Sequence, residues 1–241
     1  MKQVYTNLVE NLLADMPLEQ AMSAVVGGRY DVIGQVEVAI LRYYGLQPHH
    51  HLIDVGCGSG RLAKPLSEHH HGKYSGFDIV RKLIDYAREI VGRPDWRFEV
   101  IDNISIPETD HCADMVCFFS VFTHLLHEQS YWYLEESIRV LKPGGKIIFS
   151  FLEFREPDHW PIFMNTLVNA KGPTNNPINV FISREEIEVW AKHLGLKIEA
   201  FHDATSNVWQ AGALGQSLCV LSTPQGDDIV GQDVEKQPRA F

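Results

Sequence analysis

The sequence has no hydrophobic run of membrane-spanning length and a deficit of basic residues. Its 241 residues include 21 Lys and Arg against 31 Asp and Glu, a formal net charge of −10. Binding to DNA or RNA relies on clustered Lys and Arg that neutralise phosphates, and the basic residues here are scattered. A membrane-spanning helix needs about 20 consecutive apolar residues. We therefore expect neither a nucleic-acid partner nor a membrane partner.

Cysteines are also few. The four of them, at positions 57, 112, 117 and 219, lack the paired spacing of a zinc site. Near the N-terminus, Glu10 and Asp15 interrupt the apolar segment that a secretion signal would need. These features predict a reduced, cytoplasmic protein with small buried thiols.

Residues 52–62, LIDVGCGSGRL, form the most informative segment. A short apolar run ends in Asp54, which predicts a buried parallel strand. Three glycines follow at alternate positions: Gly56, Gly58 and Gly60. Glycines permit a sharp turn and the close approach of a ligand, and a helix that follows presents free N–H groups to it. A dinucleotide fingerprint would have its third glycine where this chain has Arg61. A turn without a ligand is the alternative.

Four further segments predict strands separated by helices. They are YSGFD at 74–78, RFEVID at 97–102, ADMVCFF at 113–119 and, after an LKPGG turn, KIIF at 146–149. This alternation predicts a parallel sheet with helices on both faces. Asp78 ends the second strand, twenty residues after Gly58, where an acid can accept hydrogen bonds from ribose hydroxyls.

Together these segments resemble the class I S-adenosylmethionine (SAM) dependent methyltransferases, over about residues 30–223. The D-x-G-x-G-x-G pattern is similar to the family's first motif, and LKPGG is similar to the turn before its fifth strand. The resemblance implies a three-layer, doubly wound α/β fold. Its seven-stranded, mostly parallel sheet would have an antiparallel last strand. The implied cofactor is SAM, and its product is S-adenosylhomocysteine (SAH).

The resemblance also implies where the cofactor binds. Asp54 would anchor the loop or the methionine ammonium, Asp78 would bind the ribose, and Asp102 would face the adenine amino group. The alternatives are a helix N-cap for Asp78 and a turn acid for Asp102. The remaining cofactor candidates are Tyr30, Gly56, Gly58, Gly60, Arg61, Ile79, Asn103 and Ser120.

Two of these candidates have an equally plausible second role. Arg61 could hold the carboxylate of the cofactor, or it could be a solvated arginine in the first helical turn. Tyr30 could close over the methionine part, or it could simply pack. Ile79 and Asn103 are expected beside the adenine, and Ser120 at the methionine end.

The organisation of the chain predicts three parts. Residues 1–45 form an N-terminal helical extension, with breaks at Pro17 and at the glycines 27–28. Residues 46–223 form the SAM-binding domain. Residues 224–241 are polar and lack a periodic apolar face. This composition predicts a mobile tail.

An insert follows the fifth strand, at residues 153–182. Four prolines and several aromatic residues punctuate it, and it is long for a plain connection, so a substrate lid is a plausible function. His159 and Trp160 lie in this insert. Trp209 lies between the last two predicted strands, at residues 196–202 and 216–222. These three residues are candidates for substrate binding, with ordinary packing as the alternative.

Several histidines could take part in chemistry. His124 follows the fourth strand, where substrate pockets of this fold open, and it could deprotonate an acceptor hydroxyl. The alternative is a histidine that bonds a loop carbonyl or caps the next helix. The tracts at 49–51 and 69–71 lie at predicted element boundaries, where we expect solvated residues.

The expected reaction is an in-line methyl transfer, in which alignment of the reactants supplies much of the acceleration. After the fourth strand the chain has FSVF at 119–122, not the motif of amino-methylating nucleic-acid enzymes. Metal-dependent relatives would need a carboxylate where Ser120 stands, so we predict no metal. We expect transfer to O or N of a small organic molecule. The alternatives are a protein methyltransferase and a non-catalytic SAM-binding accessory protein. The acceptor and the oligomeric state stay open.

Overall fold

A computed structural model describes residues 1–171 and 177–225 of the chain. The helices are α1 Lys2–Asp15, α2 Leu18–Val25, α3 Tyr30–Tyr43, α4 Ala63–Leu66, α5 Arg81–Val91, α6 His127–Val140, α7 Trp160–Ala170 and α8 Arg184–Leu194. The strands are β1 Leu52–Val55, β2 Tyr74–Asp78, β3 Arg97–Val100, β4 Ala113–Phe118, β5 Leu141–Phe151, β6 Lys197–His202 and β7 Ser217–Ser222. Short 3₁₀ turns lie at Phe122–His124 and Pro157–His159.

Seven strands form one sheet in the order β3-β2-β1-β4-β5-β7-β6. The ladders from β3 to β5 are parallel, and β7 is antiparallel to both β5 and β6. The predicted fold class is therefore confirmed. Strand order reverses at β1, which has β2 on one side and β4 on the other. A ligand crevice forms beyond the carboxyl ends of the strands at such a point.

Helices cover both faces of the sheet, because alternate residues of each buried strand point to opposite sides. Leu52 of β1 belongs to a core cluster that includes residues of α3, α4 and α5. Ile53 belongs to a second cluster, which includes residues of α6 and α8. The strands are thus buried on both sides, as their continuous apolar sequences predict.

The N-terminal helices occupy two different positions. Helix α3 is part of the main core through Val36, Ile40 and Leu41. Helices α1 and α2 instead contact the start of α5 through a small separate cluster that includes Val9 and Met22. The predicted domain boundaries after residues 45 and 223 remain predictions.

The structure adds detail in two places that the sequence outlined only broadly. The helix after the glycine loop has only four residues, Ala63–Leu66. The insert contains an 11-residue helix, α7, whose Pro161 occupies a first-turn position that tolerates proline. None of the residues of α7 is buried. Residues 172–176 of the candidate lid, and residues 226–241 of the predicted tail, lie outside the described residues.

We had expected the histidine tracts to be solvated, and for two of their residues this was wrong. His51 and His70 are buried. The ring of His51 bonds the Cys112 carbonyl and the Ser75 hydroxyl, at 3.2 and 3.0 Å. The His70 ring meets the Trp96 ring edge-on, at 6.0 Å between centroids. Within residues 1–171 and 177–225, no helix has the length and apolar character needed to cross a bilayer.

Candidate active site

A cavity of about 670 Å³ opens at the carboxyl ends of β1, β2 and β4. Its size falls in the range of small-molecule sites. It brings together most of the residues predicted from the sequence: Asp54, Gly56, Gly58, Arg61, Asp78, Ile79, Asp102, Asn103, Ser120 and His124.

The glycine loop forms the floor of this cavity. The backbone N–H groups of Gly56 and Cys57 donate to the Phe77 carbonyl at 2.7 and 3.0 Å, which ties the loop to β2. Gly56 and Gly58 have φ angles of 76° and 54°, a region that side chains disfavour. A Cβ at Gly58 would lie 2.7 Å from Cγ1 of Val26, which also lines the cavity. Glycine is therefore needed for both backbone conformation and space.

Asp78 lies at the end of β2 and faces the cavity. Its Oδ2 accepts from the Gly58 N–H at 3.0 Å, and its Oδ1 accepts from the Val80 N–H at 2.9 Å. Burial raises the pKa of Asp78 to about 6, although these backbone donors favour the charged form. Each carboxylate oxygen keeps acceptor capacity for a further donor. The side chain therefore orders the loop and can still accept ribose hydroxyls.

Asp54 is buried at the end of β1. Tyr74 donates its hydroxyl to Oδ2 at 2.7 Å, and the Cys117 thiol contacts Oδ1 at 3.6 Å. Burial raises the pKa of Asp54 to about 7, and the nearby Glu37 carboxylate adds to the increase. Asp54 is thus anchored chiefly by protein groups from β2 and β4.

Arg61 has a protein partner. Its guanidinium donates to Glu37 Oε1 at 2.5 Å and also to the Val26 carbonyl. Both ends of the Arg61–Glu37 pair line the cavity. The alternative of a solvated arginine is therefore wrong, since Arg61 is buried.

The adenine side of the predicted site is more open. Asp102 and Asn103 line the cavity but are exposed. Lys2 of α1 forms an ion pair with Asp102 across the cavity rim. Tyr5, one turn further along α1, also lines the cavity. Helix α1 therefore covers the part of the cavity that lies beyond β3.

Ser120 follows β4 with a φ of 61°, which is unusual for a residue with a side chain. Its N–H donates to the Ser150 hydroxyl at 2.7 Å. The hydroxyls of Ser120 and Ser150 both donate to Gln216 Oε1, at 3.2 and 2.6 Å. Ser150 of β5 and Gln216, the residue before β7, thus hold the Ser120 turn at the cavity wall.

His124 lies in the 3₁₀ turn after β4. Its Nδ1–H donates to the Ile178 carbonyl at 2.6 Å, which leaves Nε2 as the acceptor nitrogen of a neutral ring. Burial lowers the pKa of His124, and the Ile178 carbonyl opposes this only in part. The Tyr5 ring meets the imidazole edge-on, at 5.7 Å between centroids. The alternative of a histidine that bonds a loop carbonyl is therefore observed. His124 also lines the cavity, and its role as a base stays a prediction.

Five candidates do not line the cavity. Tyr30 donates to the Ser59 carbonyl at 2.7 Å, so it fixes the outside of the loop. Gly60 packs against Ala87, and a Cβ there would lie 3.0 Å from that methyl group. His159 is fully buried against the Glu153 backbone, and Trp160 on α7 is 55% exposed. Trp209 donates to the Gly212 carbonyl at 2.6 Å within the core.

Several lining residues escaped prediction. These are Tyr5, Leu8, Glu37, Ile104, Leu125, Gln129, Tyr133, Pro177 and Gln216, among others. They come from elements far apart in sequence, and none belongs to a local motif. The one available signal was Glu37, a charged residue on the apolar face of a predicted helix.

The residues present fit the predicted cofactor. Gly56 and Gly58 contribute backbone but no side chain to the floor, and Asp78 can accept two hydroxyl donors. Of the cavity's acidic residues, Glu37, Asp54 and Asp78 are buried, against one buried cation, Arg61. This balance suits a ligand that carries positive charge, as the sulfonium and ammonium groups of SAM do.

Comparison with known proteins agrees with this fit. Residues 52–145 match the family described as "Methyltransferase domain". The chain is 26% identical over 224 residues to O-methyltransferase cnsE of Penicillium expansum, covering 86% of this chain and 76% of that protein. It is 27% identical over 189 residues to malonyl-[acyl-carrier protein] O-methyltransferase of Hahella chejuensis. That match covers 73% of this chain but only 63% of the relative.

A solved structure shows the same fold. Magnesium protoporphyrin IX methyltransferase from Synechocystis PCC 6803, solved with bound SAH, superposes with a TM-score of 0.65. The match covers 92% of this chain and 97% of that one, at 15% identity. At this identity the likeness establishes the architecture alone.

Proposed function

Because this chain belongs to the class I SAM-dependent methyltransferases, we propose that it transfers a methyl group to oxygen or nitrogen of a small organic acceptor. The observation that carries the proposal is the shared cavity. Its wall includes the loop glycines, Asp78 and a neutral histidine, His124. Both similar curated proteins named above are O-methyltransferases, which favours oxygen as the acceptor atom.

The residues of the chain supply binding and alignment. When bound, SAM supplies an electrophilic methyl group on a positively charged sulfur. Asp78 accepts the ribose hydroxyls while it holds Gly58 in place. The Ser120 turn, held by Ser150 and Gln216, bounds the methionine end. Positioning of this kind can supply most of the rate enhancement of a displacement.

His124 is the proposed general base. Its Nδ1–H is committed to Ile178, so Nε2 is the atom that would accept a proton from an acceptor hydroxyl. The neutral ring is the form that this task requires, and burial of the imidazole favours that form. The catalytic role applies to an acceptor that must lose a proton.

The cavity lining that includes His124 suits a partly apolar acceptor. Leu8, Ile104 and Pro177 contribute apolar surface, and Tyr5 and Gln129 contribute polar atoms. Two basic residues line the described cavity, Lys2 and Arg61, and each forms an ion pair with an acidic residue. The described cavity thus offers little to a multiply charged anion such as a phosphorylated acceptor.

The decisive experiment is product identification. The purified protein is incubated with SAM carrying a deuterated methyl group and with a metabolite extract. A small molecule heavier by the labelled methyl group supports the proposal. Label on polypeptide would favour a protein methyltransferase, and SAM binding without any labelled product would favour an accessory protein.

The same assay tests the predicted independence from metal. Activity should be unchanged by a chelator. Activity that vanishes with the chelator and returns with magnesium would contradict the argument from Ser120. Among the described residues, carboxylates of Glu153, Glu156 and Asp203 lie close enough to hold an ion. However, Arg184 already pairs with Glu153 and Asp203 there, away from the cavity.

A further inference from the structure

Glu37 is a charged residue in the buried face of helix α3. It is 1% exposed, and its neighbours Val36, Val38 and Ile40 are core residues. A buried carboxylate is costly unless it is paired and hydrogen-bonded. Its position beside the glycine loop, in the wall of the cavity, therefore needs a physical reason.

Arg61 bonds only one of the two oxygens of the Glu37 carboxylate. Oε1 accepts from the Arg61 guanidinium at 2.5 Å. Within residues 1–171 and 177–225 no donor is bonded to Oε2, and Oε2 is not among the fully buried unpartnered atoms. Because Glu37 lines the cavity, Oε2 is the oxygen that remains for a ligand.

Stability alone does not explain the pair. Apolar residues of similar volume often replace a buried ion pair without loss of stability. Nearby, one carboxylate oxygen of Asp54 accepts from the Tyr74 hydroxyl, and the other accepts from the Cys117 thiol. Asp54 is therefore the less available of the two acids for a cationic ligand group.

We propose that Glu37 binds the ammonium group of the amino-acid moiety of SAM through Oε2, and that Arg61 is the positioning residue that holds the carboxylate in place. This inference rests on the proposed function, since it assigns a new residue to the same site. It makes helix α3 part of the cofactor site. It also reassigns the ammonium from Asp54, for which the sequence had suggested it.

The assignment predicts a selective effect on ligands that carry the amino-acid group. SAH has this group, whereas 5′-methylthioadenosine shares the adenosine but lacks it. In Glu37→Gln, calorimetry should show the affinity for SAH reduced by about 10- to 100-fold, because a charge-assisted hydrogen bond is lost. The affinity for 5′-methylthioadenosine should change by less than about twofold.

A matched control is Glu153→Gln. Glu153 is also buried and also pairs with an arginine, Arg184 at 2.8 Å, but it lies outside the cavity. This variant should keep the wild-type affinity for both ligands. If Glu37→Gln does not fold, Glu37→Asp takes its place. It keeps a charge for Arg61 but shortens the side chain, and SAH affinity should fall by at least about threefold with 5′-methylthioadenosine unaffected.

The outcomes separate this inference from the proposed function. Equal losses for both ligands would mean that Glu37 only shapes the cavity, and unchanged SAH affinity would remove it from the site. Either result would overturn the inference while SAH binding by the wild type still supports the function. A wild-type protein that binds neither ligand would overturn both.

Discussion

The backbone N–H of Gly58 donates to Oδ2 of Asp78 at 3.0 Å, so the turn after β1 is hydrogen-bonded to the acid that ends β2. The other oxygen of Asp78 accepts from Val80 at 2.9 Å. One carboxylate therefore fixes two segments of the cavity wall. Loss of this side chain should affect the shape of the loop as well as direct contact with a ribose.

For Asp78→Ala we expect the free energy of SAM or SAH binding to weaken by about 1–3 kcal/mol, because donors to a charged acceptor lose their partner. Isothermal calorimetry measures this. Asp85→Ala on the exposed face of α5 is the control and should bind normally. An Asp78→Ala protein with wild-type affinity would show that the loop assignment is wrong.

The Gly58 position tests crowding separately from backbone strain. Gly58→Ala puts a Cβ 2.7 Å from Val26, whereas Gly92→Ala has a similar φ of 61° with nothing within 4 Å. Both changes carry the roughly 1–2 kcal/mol cost of a left-handed residue with a side chain. In chemical denaturation, Gly58→Ala should lose about 1–3 kcal/mol more than Gly92→Ala. Only Gly58→Ala should weaken cofactor binding, and equal effects on binding would contradict the proposed floor of the cavity.

His124→Ala should lower turnover by about 10²–10⁴-fold if the acceptor is a hydroxyl. Cofactor affinity should barely change, because the proposed role of His124 is toward the acceptor and its Nδ1–H is bonded to Ile178. Burial lowers the pKa of His124 from its usual 6.5, so the wild-type rate should fall only at more acid pH than that. His127→Ala is the control, since His127 bonds the Phe181 carbonyl outside the cavity. A His124→Ala enzyme that keeps more than half its turnover would assign catalysis to alignment alone.

Asp54 should make stability depend on pH. In the folded protein its pKa is raised from 3.8 to about 7. Between these values the unfolded chain releases a proton that the folded chain keeps, so this group reduces the free energy of unfolding as pH rises. Asp54→Asn removes the effect. In urea denaturation, the free energy of unfolding of the variant minus that of the wild type should increase by on the order of 1–4 kcal/mol from pH 4 to pH 8. A constant difference across this range would contradict the buried, proton-retaining state of Asp54.

Local patterns in the sequence predicted the frame of the site. The run that ends in Asp54, the alternate glycines and Asp78 follow strands whose ends must meet at one edge of a parallel sheet. Their mutual position depends on strand order and on alternation, both of which are periodic features. His124 could be placed near the same edge because it comes a few residues after β4.

Local patterns could not predict the insert or the aromatic candidates. Trp160 and Trp209 are of a residue type that is common in binding sites. However, a side chain in a loop-rich segment can face solvent, core or cavity. Here one lies exposed on α7 and the other packs in the core. His70 likewise is buried, with its ring against Trp96, which no spacing in its tract indicates.

The sequence by itself determined the doubly wound sheet, the glycine turn and the acids at the strand ends, because each depends on short-range periodicity or on backbone conformation. Only the tertiary structure decided that α1 covers the cavity, that Glu37 reaches Arg61 from α3, and that Gln216 holds Ser120. These contacts join residues 24 to 100 positions apart. Their formation depends on how helices and strands pack once the sheet exists.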